Sequence, residues 1–379
     1  MATERLIPTC GAWWGIAPDT SSGTTLRRAV ESAERRMGRR AVAVLIIGAS
    51  VTACTAASGA PGDRDAKPRA PSVDLRTPGT CVATERLIPT CGAWWGIAPD
   101  TSSGTTLRRA VESAERRMGR RADIVHVTHR GAEPFPTKQE RQVAAGGRLL
   151  LISWKPAPDR TWAEVAGGAI DRRIDRLAAH ITRTFPHRFF LAIDARPEGE
   201  VRQAPGRSAA DYAAMFRHVV NRLRERGVRN AVTVLTYTGA PGWTAKPWFE
   251  RLYPGDDVVD WVAFTPYAGE RVTDFAGLMA AARPGRPGFY HWLQERFPAK
   301  PIMLAEWGVA ERPGAPRHKR DVFASADRQI THYPQLKALI YADSPARGDT
   351  RFDTTPAAGR AFARLARNPR FTATRVPAG

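Results

Sequence analysis

From residue 84 onward, short and almost continuously apolar runs alternate with longer stretches in which apolar side chains recur every three or four positions. The runs fall at 92–98, 124–128, 148–154, 188–195, 231–238, 260–267, 301–307 and 336–343. Segments such as LLLIS, FFLAI and VTVL carry apolar residues on both faces, as parallel strands covered on both sides do. Between them, 106–117, 162–184, 209–226 and 316–332 show the period of amphipathic helices. Gly227 and Gly359 stand where helix ends and turns need them. Eight strand–helix repeats predict an α/β fold, a (β/α)8 TIM barrel over residues 81–379. A doubly wound sheet would open on a Gly-rich turn. Neither GxGxxG nor a P-loop occurs, so dinucleotide and nucleotide readings lose their support.

The region before the barrel has a different grammar. Residues 2–41 are repeated, position for position, at 83–122. Repeat proteins drift between copies and need about three units, so one identical copy points to a duplication or recombination rather than a working repeat. Residues 1–36 therefore duplicate the first β/α segment of the barrel without belonging to the fold. A closed eight-stranded ring has no vacancy for them. At 37–54 a basic start, an apolar stretch and Val51-Thr52-Ala53-Cys54 form a lipoprotein-type signal, with Cys54 as the lipidated residue. The alternative is an ordinary buried apolar segment. Residues 55–80, rich in Ser, Ala, Gly, Pro and Arg, read as a disordered linker. The expected localisation is exported, with membrane attachment only through the anchor at Cys54. Cys81 and Cys91 would pair in an oxidising compartment and would otherwise be two free thiols.

Composition changes little. The 379 residues are 43% hydrophobic and 25% charged, ordinary globular values. Net charge is +20, but only seven of the 57 basic residues are Lys. An Arg excess scattered among Ala, Gly and Pro also follows from GC-rich coding. With no aromatic-interleaved RNA motif and no helix-turn-helix, no nucleic-acid partner is expected. The eight His are dispersed and HExxH is absent, so no metal is expected.

In such barrels chemistry sits at the C-terminal strand ends. There the sequence places His126 and His129, Trp154 and Lys155, Glu198 and Glu200, Tyr237 and Trp243, Tyr267, Glu306 and Trp307, and Tyr341 and Asp343. Carboxylates opposed across a mouth lined with Trp and Tyr suit polysaccharide hydrolysis. One acid protonates the leaving oxygen, the other attacks the sugar, and flat rings stack on pyranose faces. Candidate substrate contacts are His126, Trp154, Trp243, Tyr267, Trp307 and Tyr341. His126 and His129 are three apart and cannot both face one side of a strand. Glu306 lies in an apolar strand, where an unpaired carboxylate is expensive. It is either ligand-facing or Arg-paired.

GAWWGI, DIVHVTH, the WKP at 154–156, LYPGDDVVDWVAF and KPIMLAEWGVAE together resemble bacterial glycoside hydrolase family 26, whose best-known members are endo-β-1,4-mannanases. The resemblance spans roughly 81–367. It implies a retaining glycosidase acting on a β-linked polysaccharide, working as a monomer without cofactor, with Glu306 as nucleophile and an acid/base at the end of the fourth strand.

The fourth strand departs from the pattern. Relatives commonly carry a segment like HHEPEND, and here it reads Asp194-Ala195-Arg196-Pro197-Glu198-Gly199-Glu200. Aligned on Pro-Glu, Arg196 falls at the acid/base and cannot donate a proton. The Asp-Pro-Tyr of many relatives is Thr265-Pro266-Tyr267. Glu198 is the replacement candidate. On an extended strand it would share a side with Arg196 but lie two rises, about 6–7 Å, further along. A retaining pair stands only ~5–5.5 Å apart. Otherwise Glu198 pairs with Arg196 or Arg202 at the rim. The two readings are thus a hydrolase impaired at Arg196 and a non-catalytic carbohydrate binder on the same barrel.

Overall fold

The computed structural model describes residues 81–372 apart from 103, 203, 241, 270 and 281–287. The duplicate at 1–36, the signal at 37–54 with Cys54, and the linker at 55–80 lie outside the described residues.

Eight parallel strands close into a barrel: β1 Trp94–Pro99, β2 Ile124–Arg130, β3 Leu149–Lys155, β4 Phe189–Ile193, β5 Ala231–Tyr237, β6 Trp261–Phe264, β8 Ile302–Val309 and β9 Leu336–Asp343. A two-residue strand, β7 Tyr267–Ala268, runs beside the end of β8, and pairing of β6 with β8 completes the ring. Each strand begins within about two residues of its expected place. Helices α1 Leu107–Met118, α2 Lys138–Ala145, α3 Trp162–Ala166, α4 Asp171–Thr184 and α5 Ala209–Glu225 follow the first four strands, α3 and α4 both coming after β3. The single helix expected over 162–184 is two, because Gly167 and Gly168 interrupt it and Gly168 takes φ 88°. Gly227 (φ 88°) follows the end of α5 as expected, whereas Gly359 lies inside the helix Pro356–Ala366.

The two-residue period sorts the strands into two cores. Outward residues such as Val125, Leu150, Leu191 and Leu304 pack beneath the helices. Inward residues such as Trp94, Ile124, Leu151, Phe190, Val234, Trp261 and Met303 fill the lower barrel. The barrel floor is closed by the segment before β1. Leu87 is fully buried in the inner core, and Trp94 Nε1 and Trp261 Nε1 donate to the carbonyls of Leu87 and Arg86, each at 2.7 Å. Cys81 and Cys91 are disulfide-bonded, with Cα atoms 5.4 Å apart, and tie this plug to the start of β1.

Candidate active site

Following the inward positions up each strand, the side chains change from apolar to polar at one level. Ile124 gives way to His126 and Thr128, Leu151 to Ser153 and Lys155, Val234 to Thr236, and Ala263 to Thr265. Above that level lies a cavity of about 310 Å³, whose wall also takes in Arg130, Trp154, Asp194, Ala195, Arg196, Glu200, Ala305 and Glu306. A larger cavity of about 430 Å³ lies outside the ring between the loop after β2 and α4, and is lined by Arg173, Arg176, His180 and Arg183. It takes in none of the strand-end acids, so the mouth is the candidate site.

Glu306 reaches the mouth through a β-bulge. Leu304 pairs with Leu339 but Trp307 with Tyr341, so β8 carries one residue more than β9 over this span. Leu304 and Trp307 both belong to the outer core, and Ala305 and Glu306 both face the cavity. Tyr267 donates its hydroxyl proton to Glu306 Oε1. Gly308 makes that approach feasible, because a Cβ there would stand 2.7 Å from the Tyr267 ring. His126 Nδ1 lies 4.0 Å from Glu306 Oε2, and its Nε2 is 2.9 Å from Ser153 Oγ. Burial lowers the His126 pKa; the Glu306 charge opposes this and Arg196 reinforces it, so the imidazole is neutral at neutral pH.

The β4 side is built differently. The strand ends at Ile193, and Asp194 (φ 44°) and Arg196 (φ 66°) both take the left-handed conformation before a 3-10 turn at Pro197–Gly199. Such backbone is rare outside glycine and collects at functional sites. The Arg196 N–H donates to the Thr236 carbonyl at 2.8 Å, and the side chain lines the cavity. Asp194 Oδ2 accepts from Trp162 Nε1 at 2.6 Å, while Oδ1 lies 3.5 Å from Lys155 Nζ. Burial raises the Asp194 pKa against the pull of Lys155. Glu200 is ion-paired to Lys155 and, at 3.5 Å, to Arg207.

Several expected site residues lie elsewhere. Glu198 is not on the cavity wall. It is 1% exposed, and its two oxygens accept from the Thr238 N–H (2.7 Å) and hydroxyl (3.0 Å). The turn at Pro197 carries it into the body of the protein, and it pairs with neither Arg196 nor Arg202. Burial pushes its pKa up to about 7, which reflects desolvation rather than a place in the cleft. Trp307 and Tyr341 are buried under the helices and are not on the cavity wall, and Trp154 borders the cavity but is only 1% exposed, with its side chain packed in the outer core. Trp154 occupies an outward position of β3 and donates to the Gly131 carbonyl at 3.1 Å. Trp307 is turned outward by the bulge and sits 4.9 Å from the ring of Tyr341, whose hydroxyl donates to the Thr350 carbonyl at 2.7 Å. Trp243 is half-buried against Trp248, ring centroids 5.7 Å apart. His129 faces outward and bonds Glu140 at 2.8 Å. The structure thus groups His126, Tyr267 and Glu306. It adds Thr128, Ser153, Asp194, Thr236 and Thr265, which the inward alternation of each strand past its apolar layer marks out. Among the described residues no cluster of three or more His, Cys, Asp or Glu is arranged to hold a metal.

No family model matches the sequence, and no curated protein matches it. Solved structures match in fold. One is the family 26 domain of an endo-β-mannanase/endo-β-glucanase from Prevotella bryantii, with TM-score 0.53 and 12% identity, covering 76% of this chain and 92% of that one. Another is a family 26 β-mannanase from Bacteroides ovatus, with TM-score 0.52 and 15% identity, covering 76% and 91%. A third is the catalytic domain of an endo-β-1,4-mannanase from Bacillus sp. JAMB-750, with TM-score 0.53 and 13% identity, covering 73% and 85%. The chain therefore shares the (β/α)8 barrel fold of these proteins, and at these identities the likeness is one of fold alone.

Proposed function

We propose that the mouth binds a β-linked glycan of the mannan type, and that Glu306 is a glycosidase nucleophile working without a proton donor opposite it. The observation that carries this reading is the division of the cavity wall. Glu306 faces the cavity with Tyr267 and His126 on its two oxygens, while the fourth strand offers Arg196 there and turns Glu198 away. A retaining mechanism needs two carboxyls. Asp194 and Glu200 also reach the wall, but Trp162 and Lys155 hold the one and Lys155 and Arg207 the other; without a free second carboxyl, glycosyl transfer to Glu306 is limited to leaving groups that depart unprotonated, and hydrolysis of an ordinary polysaccharide is slow. The disulfide between Cys81 and Cys91 agrees with an exported protein. Lipid attachment at Cys54 and a monomeric state are part of the same proposal, and acyl labelling and light scattering test them.

The experiment is covalent trapping with 2,4-dinitrophenyl 2-deoxy-2-fluoro-β-mannoside. The expected result is a glycosyl ester on the peptide containing Glu306, together with calorimetric binding of manno-oligosaccharides and negligible mannan hydrolysis. Oligosaccharide binding without any ester would leave the pure carbohydrate-binding reading. Rapid mannan hydrolysis would refute the missing donor.

A further inference from the structure

Arg196 occupies the cavity wall with nothing of the protein's own to hold. The acids around it are committed elsewhere: Asp194 to Trp162 and Lys155, Glu200 to Lys155 and Arg207, and Glu198 to Thr238. Among the described residues no carboxylate comes within ion-pair distance of its guanidinium. Its backbone takes φ 66° and is tied to the Thr236 carbonyl, so the residue stands at the edge of the cavity. Beside it Thr236 borders the same cavity, and its buried hydroxyl has no hydrogen-bond partner. An unpaired buried hydroxyl is costly and usually implies a missing partner. A guanidinium fork and a carboxylate on the wall of one cavity describe a receptor for an oxyanion attached to a sugar.

We propose that the cleft takes a glycosyl phosphate, with Arg196 receiving the phosphate and Glu306 the sugar. This rests on the reading of Glu306 as nucleophile. A Glu306 oxygen attacks the anomeric carbon and forms an ester. The bond from that carbon to the phosphate oxygen breaks, and its electron pair leaves on the phosphate. Phosphate departs as an anion, so no proton donor is required, and the guanidinium neutralises the charge that develops. In the return step phosphate attacks the anomeric carbon and the Glu306 carboxylate leaves. Phosphate is already an anion and needs no general base, whereas water does. Reversible glycosyl transfer between Glu306 and phosphate is therefore favoured over hydrolysis, with retention of the β configuration.

The test is isotope exchange. Full-length protein is incubated with β-mannose 1-phosphate, and in parallel β-glucose 1-phosphate, plus ¹⁸O-labelled inorganic phosphate, and label entering the sugar phosphate is followed by ³¹P NMR. The expected result is exchange with at least one donor, reduced at least about 100-fold in Arg196→Ala and in Glu306→Ala, and less in Arg196→Lys, which keeps the charge without the fork. Circular dichroism of each variant separates loss of fold from loss of chemistry. If the fluoro-mannoside labels Glu306 but neither donor exchanges, the phosphate proposal fails and the nucleophile stands. If neither labelling nor exchange occurs, both fail. Exchange that survives Arg196→Ala would also overturn the proposal.

Discussion

The two sides of the barrel mouth differ in how they treat a carboxylate. On the β8 side one residue is inserted so that Glu306 faces the cavity, a glycine clears space for Tyr267, and His126 is held neutral beside it. On the β4 side three carboxyls are present and each is bound to another protein group, while the side chain presented to the cavity at the decisive position is Arg196. The scaffold is the same on both sides, and only the residues at the strand tips change. Under the function proposed above, the barrel keeps its architecture and one half of a catalytic pair while the other half becomes an anion receptor.

The largest expected effect comes from removing the intact side. Glu306→Ala should abolish covalent labelling by the fluoro-mannoside, a loss of at least about 10³-fold read by intact mass. Making the sides alike is the converse. Arg196→Glu should raise hydrolysis of unactivated β-mannan by about 10²-fold, the lower range of general acid catalysis, measured as reducing-sugar release. Glu198→Gln should leave labelling unchanged and alter stability instead. The folded state holds the Glu198 proton up to about pH 7, while the unfolded chain loses it near 4.5, so wild-type stability falls as pH rises through that window. Urea unfolding at pH 4.5 and pH 8 should show that decline, on the order of 3 kcal/mol at most, shrink in the variant. Tyr341→Phe should have the smallest effect. Losing the bond to the Thr350 carbonyl should cost about 1 kcal/mol, with oligosaccharide affinity untouched because the ring lies outside the mouth.

The strands were legible because a buried parallel strand needs apolar residues on both faces, and the alternation of Leu149, Leu151, Ser153 and Lys155 even marks the height at which the core gives way to the site. What the sequence does not display is parity after an irregularity. Counted from Met303 in twos, Trp307 falls inside the barrel and Glu306 outside, and the bulge reverses both. Glu198 misleads for a related reason. The same-side argument holds for an extended strand, but β4 stops at Ile193 and two positive-φ residues and a 3-10 turn follow. Trp154 and Tyr341 were expected at the mouth because they end strands, yet their inward neighbours Ser153 and Ala342 show that both point out.

Leaving-group dependence decides whether Glu306 attacks with no proton donor opposite it, as proposed above. Glycosyl-enzyme formation should be timed for a series of aryl β-mannosides spanning phenols from strongly to weakly acidic. The account predicts rates that fall steeply as the phenol becomes less acidic, because the departing oxygen carries its full charge. A flat profile would contradict it and would mean that an acid in the cleft, Asp194 being the residue to test, delivers a proton to the leaving group.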